Sequence, residues 1–228
     1  MEKRFREGVM QSLFELWQRY GESFLHGMLV TLELTVASLI VGLVVGGVLA
    51  FMRMSRIAPL RAIGAVYVEI VRSTPVIVEL FFVYYSLAQI GIIIPGFEAA
   101  VIVLGGFYGA LYSEIFRSGL MSVDFGQREA AEALGLRRKT TLLRVIVPQS
   151  LLAILPPGTS AAIDLVKDTA LVITIGVGEL MYQAYQAGSE TFQYMNVFLI
   201  AGVLYFIVCY GLSLAVRRWE RHVKAAGA

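Results

Sequence analysis

Long apolar runs without a charge set the strongest limit on how this chain folds. Residues 36–51 contain no charged side chain, and similar runs recur along the 228 residues. An α-helix needs about 20 apolar residues to cross a bilayer, and its backbone groups are then all paired within the segment. We predict five such spans, at about 24–51, 65–94, 97–120, 148–175 and 194–216. The predicted fold class is an all-α polytopic membrane protein.

Composition agrees with this class and excludes others. Apolar residues make up 57% of the chain and charged residues 16%, against roughly 45–50% and ~25% in soluble domains. A net charge of +2 gives no strong field of the kind that a nucleic-acid-binding protein needs. The single cysteine, Cys209, excludes an intrachain disulfide. The two histidines, His26 and His222, lie at opposite ends of the chain, which argues against a metal site.

Catalytic signatures are missing from the sequence. It contains no G-x-x-x-x-G-K-[ST], which would cradle a nucleotide phosphate, and no G-x-S-x-G or H-E-x-x-H. We therefore expect no enzymatic activity and no cofactor bound by this chain.

The first 22 residues differ from the rest. No continuous apolar stretch follows their basic residues, so we do not expect a cleavable signal. Apolar side chains recur at helical spacing, which predicts an N-terminal amphipathic helix over 1–22 at the membrane surface; a helical connector or docking helix is the alternative. Residues 23–217 are expected to form one transmembrane domain, followed by a cytoplasmic tail at 218–228. The apolar residues of the first segment are Val9, Leu13, Leu16, Trp17 and Tyr20.

The distribution of lysine and arginine predicts the orientation. Fourteen of these cations lie in or beside three regions, at 52–64, at 121–147 and after 216, whereas the connections at 91–98 and 176–193 contain none. Cationic flanks stay in the cytoplasm, so these three regions are predicted inside and the N-terminus outside. Four cations on the predicted outer side conflict with this orientation. They are Lys3, Arg4, Arg6 and Arg19. We keep the orientation because the fourteen cations of the three inner regions outnumber them.

Two pairs of glycines are each spaced by four residues. Gly42 with Gly46, and Gly105 with Gly109, allow two helix backbones to approach closely. We favour packing within the chain over a dimer face.

The predicted cytoplasmic connection at 121–148 is the most informative segment. Residues 126–148 read GQREAAEALGLRRKTTLLRVIVP. Its alanines and glutamates favour a short helix, and Gly135 is suited to end it. Ala131, Leu134 and Leu136 would form an apolar face, which needs a surface to pack against. We expect that surface to be a groove on a soluble partner.

The same segment resembles the EAA loop of ABC importer permeases. The matching residues are Glu129-Ala130-Ala131, Gly135 and 145–148, where Val145 and Val147 replace the Ile and Leu of the family's I-x-L-P. Three further blocks occur in the family order and resemble its polar amino-acid branch, the histidine, glutamine and arginine type. They lie at 72–85, where Ser73 replaces the usual Gly, at 112–119 and at 167–180. The resemblance covers about residues 24–216.

The resemblance implies a permease subunit of the bacterial inner membrane that imports polar amino acids by alternating access. It implies several partners: two ATP-binding subunits, a second permease chain that is identical or homologous, and an external amino-acid-binding protein. ATP and Mg would be bound by the partner subunit. Coupling to that subunit would involve Glu129, Ala130, Ala131, Gly135 and Leu136.

Charged residues inside apolar spans need a reason, since each costs roughly 2.5–3.5 kcal/mol on insertion scales. Glu114 and Arg117 are three residues apart and are predicted to pair, as a gate or a structural contact. Asp164 lies one turn before Lys167, so it either pairs with Lys167 or meets a substrate ammonium group. The predicted substrate path comprises Glu79, Asp164, Lys167, Asp168, Tyr84 and Tyr112.

Structural roles for these path residues stay open beside contact with a substrate. We expect a break or bend after Pro156-Pro157 that places Lys167 and Asp168 beside a cavity, and a buried charge network accounts for these two residues equally well. Helix packing accounts for the tyrosines at least as well as ligand contact does.

Two other functions fit part of the sequence. A stand-alone secondary amino-acid transporter or channel needs its own coupling-ion site and usually an internal repeat, and no inverted repeat is visible. A membrane anchor for a soluble complex would also use a helix near 129–136, but it has no need of charges inside its spans.

Overall fold

The computed structural model describes the backbone of residues 2–226 and the side chains of residues 10–218. Those residues form eight helices and no strand: α1 (Glu2–Arg53), α2 (Ala58–Ser73), α3 (Val76–Gln89), α4 (Gly96–Met121), α5 (Phe125–Ala133), α6 (Arg138–Ile175), α7 (Leu180–Thr191) and α8 (Tyr194–Ala226). α3 contains a π-helical turn at Phe82–Ser86. α6 contains another at Leu142–Ile146 and ends in a 3₁₀ segment, Thr169–Ile175.

Within the described part of the chain, four helical segments are long and apolar enough to cross a membrane. They are Met10–Arg53, Gly96–Met121, Arg138–Ile175 and Tyr194–Arg218, and α3 is a shorter apolar helix. The predicted fold class is confirmed. The second predicted span, 65–94, is instead divided between α2 and α3, because Thr74 is extended (φ −104°, ψ 134°), as the residue before a proline tends to be.

Of the expected break or bend after Pro156-Pro157, the break is wrong, and the bend stays a prediction. The α-helix Val147–Asp168 continues through both prolines. The irregular parts of α6 lie on either side of this helix, in the π-helical turn and in the 3₁₀ segment. Each proline lacks the N–H group that would donate a hydrogen bond within the helix, yet the helix continues on both sides of the two prolines.

The predicted N-terminal helix over 1–22 is not a separate helix that ends at residue 22. α1 runs without interruption into the first span. Leu16 is buried in a core with Phe24 and with residues of α7 and α8, so the alternative of a docking helix fits it better than a helix lying on a surface. The side chains of Lys3, Arg4, Arg6 and Val9 lie outside the described residues.

The chain divides into two compact units that are each discontinuous in sequence. The first comprises 1–38, 76–104 and 164–211, and the second comprises 39–75, 105–163 and 212–228. The core of the first is built from Leu16, Phe24, Met28, Leu180, Ala184, Ala187, Val197 and Ala201. A small core of the second contains Leu49, Val68 and Ala110.

The glycine pairs bring α1 and α4 together in the second unit. A Cβ on Gly46 would lie 2.7 Å from the Cβ of Tyr112 and 3.0 Å from the carbonyl oxygen of Gly109. A Cβ on Gly42 would lie 3.5 Å from the carbonyl oxygen of Gly105. Packing within the chain, the favoured interpretation of these glycines, is confirmed.

Replacing Gly46 by alanine should therefore destabilise the protein by about 1 kcal/mol, the low end for overpacking, since one methyl group is added. Gly47→Ala is the matched control, because a Cβ there meets no atom within 4 Å. That control should be neutral, or stabilising by up to about 1 kcal/mol through helix propensity. Thermal unfolding of the purified chain in detergent, followed by circular dichroism, measures both. Equal shifts for the two variants would contradict the close approach.

Candidate functional site

The short helix α5 is defined by its two ends. At its start, the Asp124 carboxylate accepts a hydrogen bond from the backbone N–H of Gly126 at 2.7 Å. At its end, Gly135 has φ +70°, and its N–H donates to the carbonyl of Glu132 at 2.9 Å. The N–H of Leu136 donates to the carbonyl of Ala131 at 3.0 Å. This is a Schellman motif, so the prediction that Gly135 ends the helix is confirmed.

α5 is fixed to its unit on one face and exposed on the others. Ala131 is buried, and Arg128 donates to the backbone carbonyl of Leu120 at 3.0 Å. Phe125 and Leu134 are 70% and 78% exposed, which is unusual for large apolar side chains on a short polar helix. Among the predicted coupling residues, Glu129, Ala130, Gly135 and Leu136 are exposed as well.

An open pocket of about 370 Å³ lies beside α5. Glu129, Glu132 and Leu136 contribute to it from α5 and its end, and Arg138 and Leu142 contribute from the start of α6. The surface around α5 thus combines apolar side chains with charges of both signs. Such a surface can hold a complementary protein partner through a few apolar anchors and a polar rim.

Glu114 is the centre of an ion-pair cluster in the second unit. Its carboxylate lies 3.0 Å from Nη2 of Arg117, which is the expected contact. It also lies 2.7 Å from Nη2 of Arg53 and 3.9 Å from Nη1 of Arg72. Sequence reasoning missed Arg53 and Arg72 as partners, because it treated both as cations of a cytoplasmic connection.

Asp164 and Lys167 form an ion pair of 2.6 Å in the first unit. Both side chains are more than half exposed, so neither is held in a buried network. Asp168 is half-buried. The pairing explains the presence of Asp164 and still leaves both groups accessible to a ligand.

α3 carries two predicted path residues of the first unit, Glu79 and Tyr84. The Tyr85 hydroxyl donates to the carbonyl of Thr174 at 3.0 Å, so α3 packs against the 3₁₀ segment that follows Asp168. Tyr84 lies edge-on to Tyr85, with ring centres 4.9 Å apart. Glu79, on the same helix, is half-buried and makes no hydrogen bond or ion pair with another described residue.

Tyr112 belongs to the second unit rather than to this group. Its side chain is 3% exposed, and its hydroxyl donates to the carbonyl of Gly158 at 2.9 Å. This hydroxyl therefore joins α4 to α6, which agrees with helix packing, the alternative to ligand contact for this tyrosine.

A buried carboxylate, Glu179, was missed as a site residue. Its side chain is fully buried and accepts a hydrogen bond from the Tyr205 hydroxyl at 2.6 Å. It also accepts from the backbone N–H of Tyr182 at 2.8 Å and from the Thr31 hydroxyl at 3.4 Å. Glu179 thus caps α7 and joins it to α1 and α8. The sequence feature that could have identified this role is a carboxylate directly before the start of a helix, in the N-cap position.

Known proteins resemble this chain over most of its length. Residues 38–225 match the family described as binding-protein-dependent transport system inner membrane component. The arginine transport system permease protein ArtQ of Bacillus subtilis (strain 168) is 37% identical, covering 88% of this chain and 92% of the relative. The L-cystine transport system permease protein TcyB of the same organism is 37% identical, covering 86% of each chain. The glutamine transport system permease protein GlnP of Escherichia coli (strain K12) is 35% identical, covering 88% and 92%.

Solved structures of ABC transporters also resemble this chain. A crystal structure of an amino acid ABC transporter with histidines superposes with a TM-score of 0.86 at 35% identity, covering 90% of this chain and 95% of the other. An inward-facing structure of the MetNI methionine ABC transporter gives a TM-score of 0.68 at 25% identity, covering 93% and 98%.

Proposed function

Because this chain belongs to the family of binding-protein-dependent transport system inner membrane components, we propose that it is the permease subunit of an ATP-driven importer of polar amino acids. The substrate class is supported by the names of the relatives, which include permeases for arginine, cystine and glutamine. The observation that carries the proposal is α5, a helix capped at both ends that buries Ala131 against its unit and holds Glu129, Ala130 and two large apolar side chains at the surface.

In this proposal α5 is the docking element for a separate ATP-binding subunit. Phe125 and Leu134 serve as apolar anchors, and Glu129 with Glu132 supplies polar contacts at the adjoining pocket. ATP and Mg are bound by that partner. When two such partners close on ATP, they move α5 with the ends of α4 and α6. The permease then alternates between outward-open and inward-open states.

The other partners follow from the same scheme. A second permease chain, identical or homologous, completes the pathway, and an external binding protein delivers the amino acid. The predicted orientation, with the N-terminus outside and α5 in the cytoplasm, places the ATP-binding subunits where ATP is available.

We place the substrate path along the group in the first unit. Glu79 and Tyr84 lie on α3, which packs against the 3₁₀ segment at the end of α6, and Asp164, Lys167 and Asp168 lie on the helix that leads into that segment. A half-buried carboxylate such as Glu79, without a partner among the described residues, suits an ammonium group. The exposed pair of Asp164 and Lys167 can exchange its mutual contact for the two charged ends of an amino acid.

The proposal is tested by uptake into liposomes that contain the assembled transporter and its binding protein. Accumulation of a polar amino acid should require ATP, and Glu79→Gln should reduce uptake about tenfold, since a hydrogen bond to a charged group contributes about 1.5–3 kcal/mol. Glu98→Gln, an exposed carboxylate in the same unit, is the matched control. Uptake by the chain alone, driven by an ion gradient without ATP, would refute the proposal.

A further inference from the structure

An open pocket of about 660 Å³ in the second unit is lined by basic and small side chains. Positions 58, 61, 62 and 65 fall on one face of α2, so that this helix presents one arginine among three alanines. The small alanines leave room for a ligand beside three guanidinium groups. The lining residues are Arg53, Ala58, Arg61, Ala62, Ala65 and Arg117.

The positive charge around this pocket exceeds the negative charge. Arg53 and Arg117 share the single carboxylate of Glu114, at 2.7 and 3.0 Å, and Arg72 reaches the same carboxylate at 3.9 Å. Arg61 makes no ion pair with a described carboxylate; its Nη1 donates to the backbone carbonyl of Ser55 at 3.3 Å. Since a guanidinium carries five N–H donors, Arg61 retains most of its capacity for an anion.

Apolar surface borders the pocket on the same helix. Ile63, Val66 and Ile70 of α2 are 63%, 56% and 61% exposed, and the apolar segment of α1 ends at Arg53. In a membrane protein such a surface faces acyl chains, and cations at its edge lie at the level of lipid phosphates. The neighbours of the pocket therefore favour a lipid over a soluble anion.

We propose that Arg53, Arg61 and Arg117 form a binding site for the phosphodiester headgroup of an anionic phospholipid. Arginine matches phosphate oxygens with paired N–H donors, and the alanine face accommodates the glycerol region. A net negative lipid is required, because the pocket has positive charge in excess of Glu114.

Native mass spectrometry of the detergent-solubilised chain measures this binding directly. Phosphatidylglycerol should bind about 25-fold more tightly than zwitterionic phosphatidylcholine, since the three arginines less the one charge of Glu114 leave two net cations, and each contributes roughly a fivefold attraction. Arg61→Gln should lower phosphatidylglycerol affinity about fivefold and leave phosphatidylcholine unchanged. Arg61 is the variant of choice because its one described hydrogen bond goes to a backbone carbonyl, so its loss leaves the Glu114 cluster intact.

Arg144→Gln is the matched control, an exposed arginine of the same unit outside the pocket. Equal losses for Arg61→Gln and Arg144→Gln would show general attraction to the membrane surface and overturn the site. Equal affinities for the two lipids would do the same. Inorganic phosphate should not displace the lipid, and full displacement by phosphate at equal concentration would overturn the assignment to lipid. Because the readout is lipid binding to this chain alone, its failure is distinct from failure of ATP-driven transport.

Discussion

A transporter carrying Gly135→Val is expected to lose the proposed ATP-binding subunits and, with them, the proposed ATP-driven uptake. Gly135 has φ +70°, a conformation that a β-branched residue adopts only under strain of about 1–3 kcal/mol. We expect the chain to relieve this strain by unwinding the end of α5, which would move Leu134 and Leu136 away from the proposed docking surface. The corresponding loss of docking affinity is about tenfold to hundredfold. Copurification of the ATP-binding subunit with tagged permease measures it, alongside uptake.

Gly135→Asn is the matched control for this variant. Asparagine tolerates the left-handed conformation, so the asparagine variant should retain most docking although its side chain is similar in size to valine. Normal recovery of the ATP-binding subunit with Gly135→Val would contradict the assignment of α5 as the docking element. Equal losses for valine and asparagine would instead show that any side chain at this position blocks the contact, without a role for backbone strain.

The ends of α5 illustrate what local sequence can predict. The alanine-rich run and Gly135 determine the helix and its end through contacts between residues only a few positions apart. Close packing of helices within the chain was also predictable, because small residues at four-residue spacing allow helix backbones to approach each other. For α5 the signal lies in the same short segment as the structure, whereas the glycine spacing marks a face on each helix and only the fold shows that the two faces meet.

Interactions between distant segments were only partly predictable. The pair of Glu114 and Arg117 was visible at three-residue spacing, but Arg53 and Arg72 reach Glu114 through tertiary folding that no local pattern encodes. The prolines gave a mixed result. Thr74-Pro75 separates two helices, whereas Pro156-Pro157 lies inside one.

Glu179 was missed for a related reason. Glu179 lies in the connection between α6 and α7, and only the folded chain brings Thr31 and Tyr205 to it. Burial of a carboxylate is unfavourable unless its oxygens are hydrogen-bonded, and here three donors satisfy them. Loss of Glu179 should therefore weaken the first unit strongly.

Glu179→Ala should destabilise the chain by about 3–5 kcal/mol. The substitution leaves the Tyr205 hydroxyl, the Thr31 hydroxyl and the N–H of Tyr182 without their acceptor, and each unpaired buried group costs about 1–3 kcal/mol. For a chain of this size the midpoint of thermal unfolding should fall by roughly 10 °C. Unfolding of the purified chain in detergent, followed by circular dichroism, measures the shift.

Two comparisons separate the hydrogen-bond network from a simple loss of packing. Glu179→Gln keeps an acceptor oxygen at the same place and should cost only about 1 kcal/mol. Glu190→Ala, on the same α7, removes an exposed carboxylate that accepts from the Tyr20 hydroxyl at 2.7 Å, and its effect should be at most about 1 kcal/mol. In a double-mutant cycle, Tyr205→Phe should recover part of the loss caused by Glu179→Ala, because the orphaned hydroxyl is then absent. Strict additivity of these two substitutions would mean that Tyr205 and Glu179 do not stabilise the first unit through their mutual hydrogen bond.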